Sequence, residues 1–244
     1  MKILIAIDDT DNAESRGTGF RARELGSQLG NLEKTIYCDV TRHQLLFDPR
    51  IPYTSHNSSA CICIESELDI DFLRKICEAY LIENSAEGSD AGLCIVPFDS
   101  VSEENQVWGE RAKKEILNMD EARKIAAKHS VFLEGYTGTK GGIIGSLAAV
   151  GLRRRGEDGR FLYVKGMREL KGSFSIEVLL KNADIDCIVE LSSGKEISSG
   201  SIWLEEWWRP VLKGSKKVLY VESSNNIEYE WTNITKDVIR SISS

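Results

Sequence analysis

The chain is poor in the features that staple small domains, span membranes or grip nucleic acid by charge. Its 244 residues contain four prolines, three histidines and six cysteines. None of the cysteines form a Cys-x-x-Cys pair, so no zinc ribbon is encoded and no zinc is expected. Cys38, Cys61, Cys63, Cys77, Cys94 and Cys187 read as reduced, small core residues, with Cys61 and Cys63 on one face of a strand. His43, His56 and His129 show no ligand spacing. No apolar run approaches the length of a membrane span. The first seven residues are too short, and too quickly followed by acids, for a secretory signal. The expectation is a soluble cytoplasmic protein with no membrane partner. Positive charge is scarce too. The net charge of −7 argues against broad, charge-driven nucleic-acid binding. The local basic clusters, Arg153-Arg154-Arg155 and Lys213 to Lys217, read as cations at a helix end and in an exposed turn.

What is present begins at the N-terminus. Ile3-Leu4-Ile5-Ala6-Ile7 reads as a buried strand and stops at Asp8-Asp9-Thr10-Asp11, three carboxylates within four residues. Like charges so close repel, and their desolvation is costly unless a cation sits among them. Hard oxygen ligands at a strand end suit Mg²⁺, which usually also takes oxygens from a phosphate substrate. An Asp-rich turn that only caps a helix is the alternative.

Further along, residues 17–30 read as a helix and Thr35 to Thr41 as a strand with Ile36, Cys38 and Val40 on one side. A long loop covers residues 42–58. Residues 60–97 repeat a strand–helix–strand theme, with Phe72, Ile76 and Tyr80 on the buried stripe of the helix Asp69 to Asn84. Two charged helices over 102–117 and 120–129 lead to a strand near Val131 to Gly135. Beyond Gly156 strand-like runs follow one another: Phe161 to Val164, Phe174 to Leu180, Cys187 to Leu191, Ile202 to Trp207, Val218 to Val221 and Ile227 to Trp231. A short helix over 236–243 closes the chain. Four of the five tryptophans, Trp203, Trp207, Trp208 and Trp231, lie here and read as core or interface residues, with a homodimer left open.

A second chemical segment, Tyr136 to Ser146, follows a strand and opens an apolar helix over roughly 142–154. Gly138, Gly141, Gly142 and Gly145 would let backbone N–H groups approach a ligand, and the helix dipole favours an anion there. Lys140 and the hydroxyls of Thr137, Thr139 and Ser146 would add donors for phosphate. Neither the Walker A nor the Gly-x-Gly-x-x-Gly spacing is met. Tight helix packing with a solvated Lys140 is the alternative. Together, the Asp cluster and the glycine loop describe a Mg²⁺–nucleotide triphosphate site.

At these residues the chain resembles the archaeal agmatidine synthetase family, which modifies the anticodon cytidine of an isoleucine tRNA. Three stretches carry the resemblance: Ile7 to Asp11 with Gly17-Thr18-Gly19, Pro49-Arg50-Ile51-Pro52-Tyr53-Thr54-Ser55-His56-Asn57, and Gly138 to Leu152. They cover about the N-terminal two-thirds of the chain. The resemblance implies an α/β protein of two α+β lobes, a kinase-like nucleotide fold and a ferredoxin-like part; the strand-like runs add a β-rich C-terminal region beginning near residue 170. The expected division is 1–170 and 171–244, with a ferredoxin-like βαβ portion near 60–97. In that family ATP activates the cytidine carbonyl as a phosphate ester, which agmatine displaces. The implied roles fall on Asp8, Asp9 and Asp11 as metal ligands, on Gly141, Gly142 and Gly145 as phosphate cradle, and on Thr18 as phosphate acceptor. For Thr18 a helix N-cap turn is the alternative. Family members are longer, with an OB-type domain and a zinc ribbon that grip tRNA. Here the nucleotide site is expected without those parts.

The resulting expectation is a Mg²⁺-ATP-dependent phosphoryl-transfer or ligase-type enzyme. Asp8, Asp9 and Asp11 hold metal, Gly138, Thr139, Gly141, Gly142, Gly145 and Ser146 cradle the triphosphate, Lys140 offsets developing charge, and Thr18 receives or orients a phosphate. His56 and Asn57, on the long loop, would face the acceptor, a small-molecule amine or a tRNA presented by a partner, with a plain surface turn the favoured alternative for either residue. A non-catalytic nucleotide-binding regulator and a tRNA-binding remnant are the alternatives.

Overall fold

The computed structural model describes residues 1–54 and 56–243, and the chain divides into two compact units, Met1–Arg155 and Gly156–Ser244. The division falls at Arg155/Gly156, so residues 156–170, grouped with the first region on sequence grounds, lie in the second unit.

The first unit is built on the apolar strand β1 (Lys2–Asp8), followed by α1 (Thr18–Gly30), β2 (Thr35–Gln44), β3 (Ser58–Ser66), α2 (Ile70–Asn84) and β4 (Gly92–Pro97). β1 runs between β3 and β4, antiparallel to both, with Ile3 opposite Ile64 on one side and Asp8 opposite Gly92 on the other. β2 completes the order β4-β1-β3-β2, again antiparallel. Two split βαβ units therefore interleave, the ferredoxin-like pattern. It spans Lys2–Pro97, with the 60–97 portion as its second half.

Period-2 alternation gives this sheet two apolar faces. Leu4, Ala6, Cys61, Cys63, Cys94 and Val96 pack with the helices that follow in sequence. The alternate residues Ile3, Ile5, Ile7, Ile62 and Ile64 are wholly buried towards the opposite side. There α1 approaches so closely that a Cβ on Gly26 would stand 2.9 Å from Val40 Cγ2. The buried stripe of α2 is Leu73, Cys77, Tyr80 and Leu81, one position along from the stripe expected, and Phe72 is 48% exposed. Asp69 is the N-cap, accepting from the Asp71 and Phe72 N–H groups. In β2 the register shifts between Thr35 and Tyr37, which turns Ile36 out to 79% exposure.

The second helical layer consists of α3 (Glu103–Ala112), α4 (Met119–Lys128) and α5 (Ile143–Arg155), with β5 (Phe132–Gly135) added antiparallel to β4. α5 is buried nearly all round, as its composition requires. It meets α3 at backbone distance, since a Cβ on Gly151 would lie 2.1 Å from the Asn105 carbonyl oxygen. Arg153 near its C-terminus is buried and bridges both carboxylate oxygens of Asp39 at 2.8 and 2.7 Å.

The second unit comprises β6 (Arg160–Tyr163), β7 (Gly172–Ser175), α6 (Ile176–Asn182), β8 (Cys187–Glu190), β9 (Ser201–Leu204), β10 (Val211–Lys213), β11 (Lys216–Ser223), β12 (Trp231–Asn233) and α7 (Lys236–Ile242). The order is β6-β10-β11-β12-β9-β7, with β8 parallel to β11. The strand expected over 174–180 is instead the end of β7 followed by α6. Ser175 caps that helix on the Val178 N–H, and Ile176 and Leu179 are buried at i, i+3 spacing. Trp208 is core, its indole N–H donating to the Leu170 carbonyl at 3.0 Å, whereas Trp203 stacks on Tyr229.

Candidate functional site

The unit's chemistry collects at one end of the first sheet, where β1 and β5 finish and β3 and β4 begin. A cleft of about 210 Å³ opens there. Asp8, Asp9, Asp11, Thr18, Asp90, Thr139, Gly141, Gly142 and Gly145 line one part of it. Leu45, Ile51, Tyr53, Ile116, Leu117 and Ile144 line another.

Asp8 closes β1, half-buried, and lines the cleft. Burial, then the charges of Asp9 and Asp11, hold its carboxyl well above the ordinary range. Asp9 turns the chain with a left-handed backbone, φ 51°, a conformation that Asp tolerates better than most residues. Burial, then Asp90 and Asp11, raise its carboxyl to about 6. Asp11 is committed elsewhere: its Oδ1 accepts from the Thr18 N–H at 3.0 Å and from the Thr18 hydroxyl at 2.6 Å. The same Thr18 oxygen accepts from the Thr10 N–H and hydroxyl, both at 3.1 Å.

The glycine-rich segment lies against these residues because its glycines admit backbone to backbone. A Cβ on Gly142 would stand 2.6 Å from the Gly92 nitrogen and 2.8 Å from the Asp8 carbonyl oxygen. On Gly145 it would stand 1.9 Å from Asp8 Oδ2. These two glycines seat α5 on the Asp cluster, while Gly141 is open to the cleft. Asp90, not anticipated from the sequence, joins the two segments. Its N–H donates to the Asp9 carbonyl at 3.1 Å and its carbonyl accepts from the Gly142 N–H at 2.8 Å. Its carboxylate accepts from the Thr139 N–H and, at 2.8 Å, from the Thr139 hydroxyl. The only sequence signal was an Asp two residues before a strand, a commonplace turn.

The remaining expected donors face elsewhere. Lys140, itself left-handed at φ 69°, pairs with Glu134 at 3.5 Å and does not line the cleft. Thr137 Oγ1 accepts from the Ala91 N–H at 2.7 Å. The Ser146 hydroxyl donates to the Ile143 carbonyl at 3.2 Å, inside α5. Gly138, at φ 49°, packs on Asp90. His56 and Asn57 do line the cleft, and Asn57 braces the loop by donating to the Leu46 carbonyl at 2.7 Å. Ser55 lies outside the described residues.

Among the described residues, no group of three or more His, Cys, Asp or Glu side chains converges as a ready-made metal cage. Asp8 and Asp9 nevertheless fit Mg²⁺ in its usual setting, where one or two carboxylates leave the remaining positions to phosphate and water. Two crowded carboxylates with raised proton affinity are what a cation there would relieve.

No family model matches the chain. An uncharacterised protein of Methanocaldococcus jannaschii is 31% identical over 161 residues, covering 62% of this chain and 50% of that protein. The chain thus spans about half the length of that curated relative. Among solved structures, a complex of the tRNA agmatidine synthetase with its isoleucine tRNA and ATP matches at 25% identity and a TM-score of 0.54, over 62% of this chain and 36% of that one. A tRNA fluorescent labelling enzyme matches at 26% and 0.53 with the same coverage. The apo synthetase, at 24% identity and a TM-score of 0.52 over 62% of this chain and 35% of that one, shares the fold. Over roughly that span the chain resembles part of the tRNA agmatidine synthetase, and the mixed α/β architecture built above is the one they share.

Proposed function

We propose that the first unit is a Mg²⁺-ATP site and that the protein is a phosphoryl-transfer or ligase-type enzyme related to agmatidine synthetase. The observation that carries this is that one cleft is lined by Asp8 and Asp9 together with Gly141, Gly142 and Gly145, with Gly141 open to it. The synthetase is solved in complexes with tRNA, with ATP, and with an ATP analogue and agmatine, which favours the same nucleotide here.

Bound at Asp8 and Asp9, Mg²⁺ supplies neutralisation of phosphate charge. Gly141, the open glycine of the loop, lets the main chain approach the phosphates, and the N-terminus of α5 lies at the same cleft with the positive end of its dipole. Asp11 fixes Thr18 within the cleft and stands ready to take the hydroxyl proton at Oδ1 if Thr18 attacks the terminal phosphorus and ADP leaves. Leu45, Ile51, Tyr53 and Ile144 exclude water beside the reacting groups. The acceptor is a small amine or a tRNA. The soluble, cytoplasmic setting is part of the proposal; among the described residues, no helix is long and apolar enough to cross a membrane.

Calorimetry on the wild type and on Asp9→Asn tests the site. The expected result is ATP binding that requires Mg²⁺ and weakens at least about tenfold in the variant, a loss of about 1.4 kcal/mol or more. Absence of Mg²⁺-ATP binding by the wild type overturns the assignment. One observation favours the non-catalytic alternative: Lys140, the cation expected to offset transferring charge, is paired with Glu134 away from the cleft. ATP turnover with amine or tRNA acceptors separates enzyme from regulator. A salt-dependent gel shift with transcribed tRNA reports tRNA binding directly.

A further inference from the structure

Asp90 occupies an unusual position between the two halves of the site. Its main chain ties the Asp cluster to the glycine loop, through Asp9 on one side and Gly142 on the other. Its side chain does something different. Both carboxylate oxygens are spent on Thr139, one on the N–H and one on the hydroxyl. Thr139 lies in the loop expected to cradle phosphate and lines the cleft, as does Asp90. A carboxylate and a phosphate oxygen want the same donors, a main-chain N–H and a hydroxyl held close together. The donors best placed to meet an anion therefore already hold one, supplied by the chain itself.

The fit is tight. Gly138 is left-handed at φ 49°, and a Cβ there would stand 2.0 Å from Asp90 Oδ1. The loop is shaped around the Asp90 carboxylate. Asp9, whose carbonyl accepts from the Asp90 N–H, adds a repelling charge nearby.

We propose that Asp90 is a resident anion of the phosphate loop. Its carboxylate blocks Thr139 in the absence of a cation and vacates it, towards the cation held by Asp8 and Asp9, when metal and nucleotide arrive together. The proposal depends on the Mg²⁺-nucleotide assignment of the cleft. It adds a regulatory property: metal-free polyphosphate is refused, and metal and nucleotide bind as a coupled pair. Such coupling is reciprocal, so nucleotide would raise cation affinity by the factor by which cation raises nucleotide affinity.

The test is calorimetry with inorganic tripolyphosphate and with ATP, each with Mg²⁺ and with EDTA, on wild type, Asp90→Ala, Asp90→Asn and Glu115→Gln. Glu115 lines the cleft but pairs with Arg111 at 3.1 Å, so its substitution removes one negative charge without touching the loop. Asp90→Asn keeps the main-chain bonds and an acceptor for Thr139, and so guards against a folding defect in Asp90→Ala. The expected result is a gain in metal-free tripolyphosphate affinity in both Asp90 variants, about tenfold or more in Asp90→Ala, with a smaller Mg²⁺ enhancement than in wild type. Glu115→Gln is expected to change metal-free affinity less than about twofold, in keeping with an exposed charge screened by salt. Unchanged or weaker metal-free binding in folded Asp90 variants overturns the proposal. So does an equal gain in Glu115→Gln, which would reduce the effect to bulk charge. Failure of the wild type to bind ATP with Mg²⁺ would remove the underlying site assignment, a result distinct from both.

Discussion

Replacing Gly145 by alanine tests whether α5 is seated on the Asp cluster as tightly as described. The added Cβ would stand 1.9 Å from Asp8 Oδ2, 2.7 Å from its Cγ and 3.1 Å from Leu45 Cδ1. Ordinary contact is about 3.5 Å, so the carboxylate oxygen must retreat by roughly 1.6 Å or the helix must lift. Asp8 ends a strand paired on both sides and is half-buried, with Leu45 on one side of the same approach, so relief requires the carboxylate to swing towards the cleft. Overpacking of this kind costs about 1–3 kcal/mol. For a chain of this size that is about 2–12 °C in Tm. Because the displaced group is a proposed metal ligand, Mg²⁺-ATP affinity should fall at least about tenfold as well. Gly141→Ala is the matched control. Its Cβ meets nothing nearer than Thr139 Oγ1 at 3.5 Å and its φ is not left-handed. It should be neutral, or stabilising by up to about 1 kcal/mol through the unfolded chain, while its methyl, which faces the cleft, weakens nucleotide binding. Thermal unfolding and calorimetry on both variants decide the matter. An unshifted Tm and intact binding in Gly145→Ala would refute the close seating of α5.

Three further outcomes follow from buried groups. Arg153→Met leaves Asp39 buried without its guanidinium and should cost about 3–5 kcal/mol, with much of the loss recovered in the Arg153→Met/Asp39→Leu double variant, as denaturant unfolding would show. The raised Asp9 carboxyl favours the fold at low pH: its contribution is full below about pH 4 and is lost as pH rises through about 6, on the order of 3 kcal/mol in metal-free protein. The difference in unfolding free energy between wild type and Asp9→Asn across about pH 4–8 should trace that loss, and Mg²⁺ with ATP should abolish it. Burial raises the thiols of Cys61, Cys63, Cys77 and Cys94, so these four should resist an aromatic disulfide reagent in the native protein and react on unfolding.

Much of the first unit was legible because its elements carry strong local signals. Apolar runs bounded by Asp, Gly and Asn fixed β1, β3, β4 and α5 to within a few residues. Their antiparallel register was not legible, since a strand buried on both faces reads alike in either pairing. In α2 the buried stripe slid by one position because Phe72 and Leu73 are both apolar and only packing chooses between them. The switch from β7 to α6 hid in a β-branched run whose deciding feature is the Ser175 cap. At the site, residue types predicted the meeting of carboxylates with a glycine loop. They did not reveal that Thr137, Thr139 and Ser146 spend their hydroxyls internally, or that Asp90 stands between the two segments. Those are tertiary facts with no sequence period to announce them.

The contact between Gly145 and Asp8 also has a kinetic side. It joins residues near opposite ends of the first unit, and closing so long a loop is the slow, entropically opposed kind of step. The sheet from β1 to β4 can pair from its first hundred or so residues, but the cleft exists only once α5 docks. During synthesis the ferredoxin-like sheet would therefore precede the ligand site, and α5 would be the last piece of the unit to leave the ribosome. If the cleft holds nucleotide as proposed, binding would mark completed folding: refolding followed by a fluorescent nucleotide should lag behind refolding followed by backbone circular dichroism.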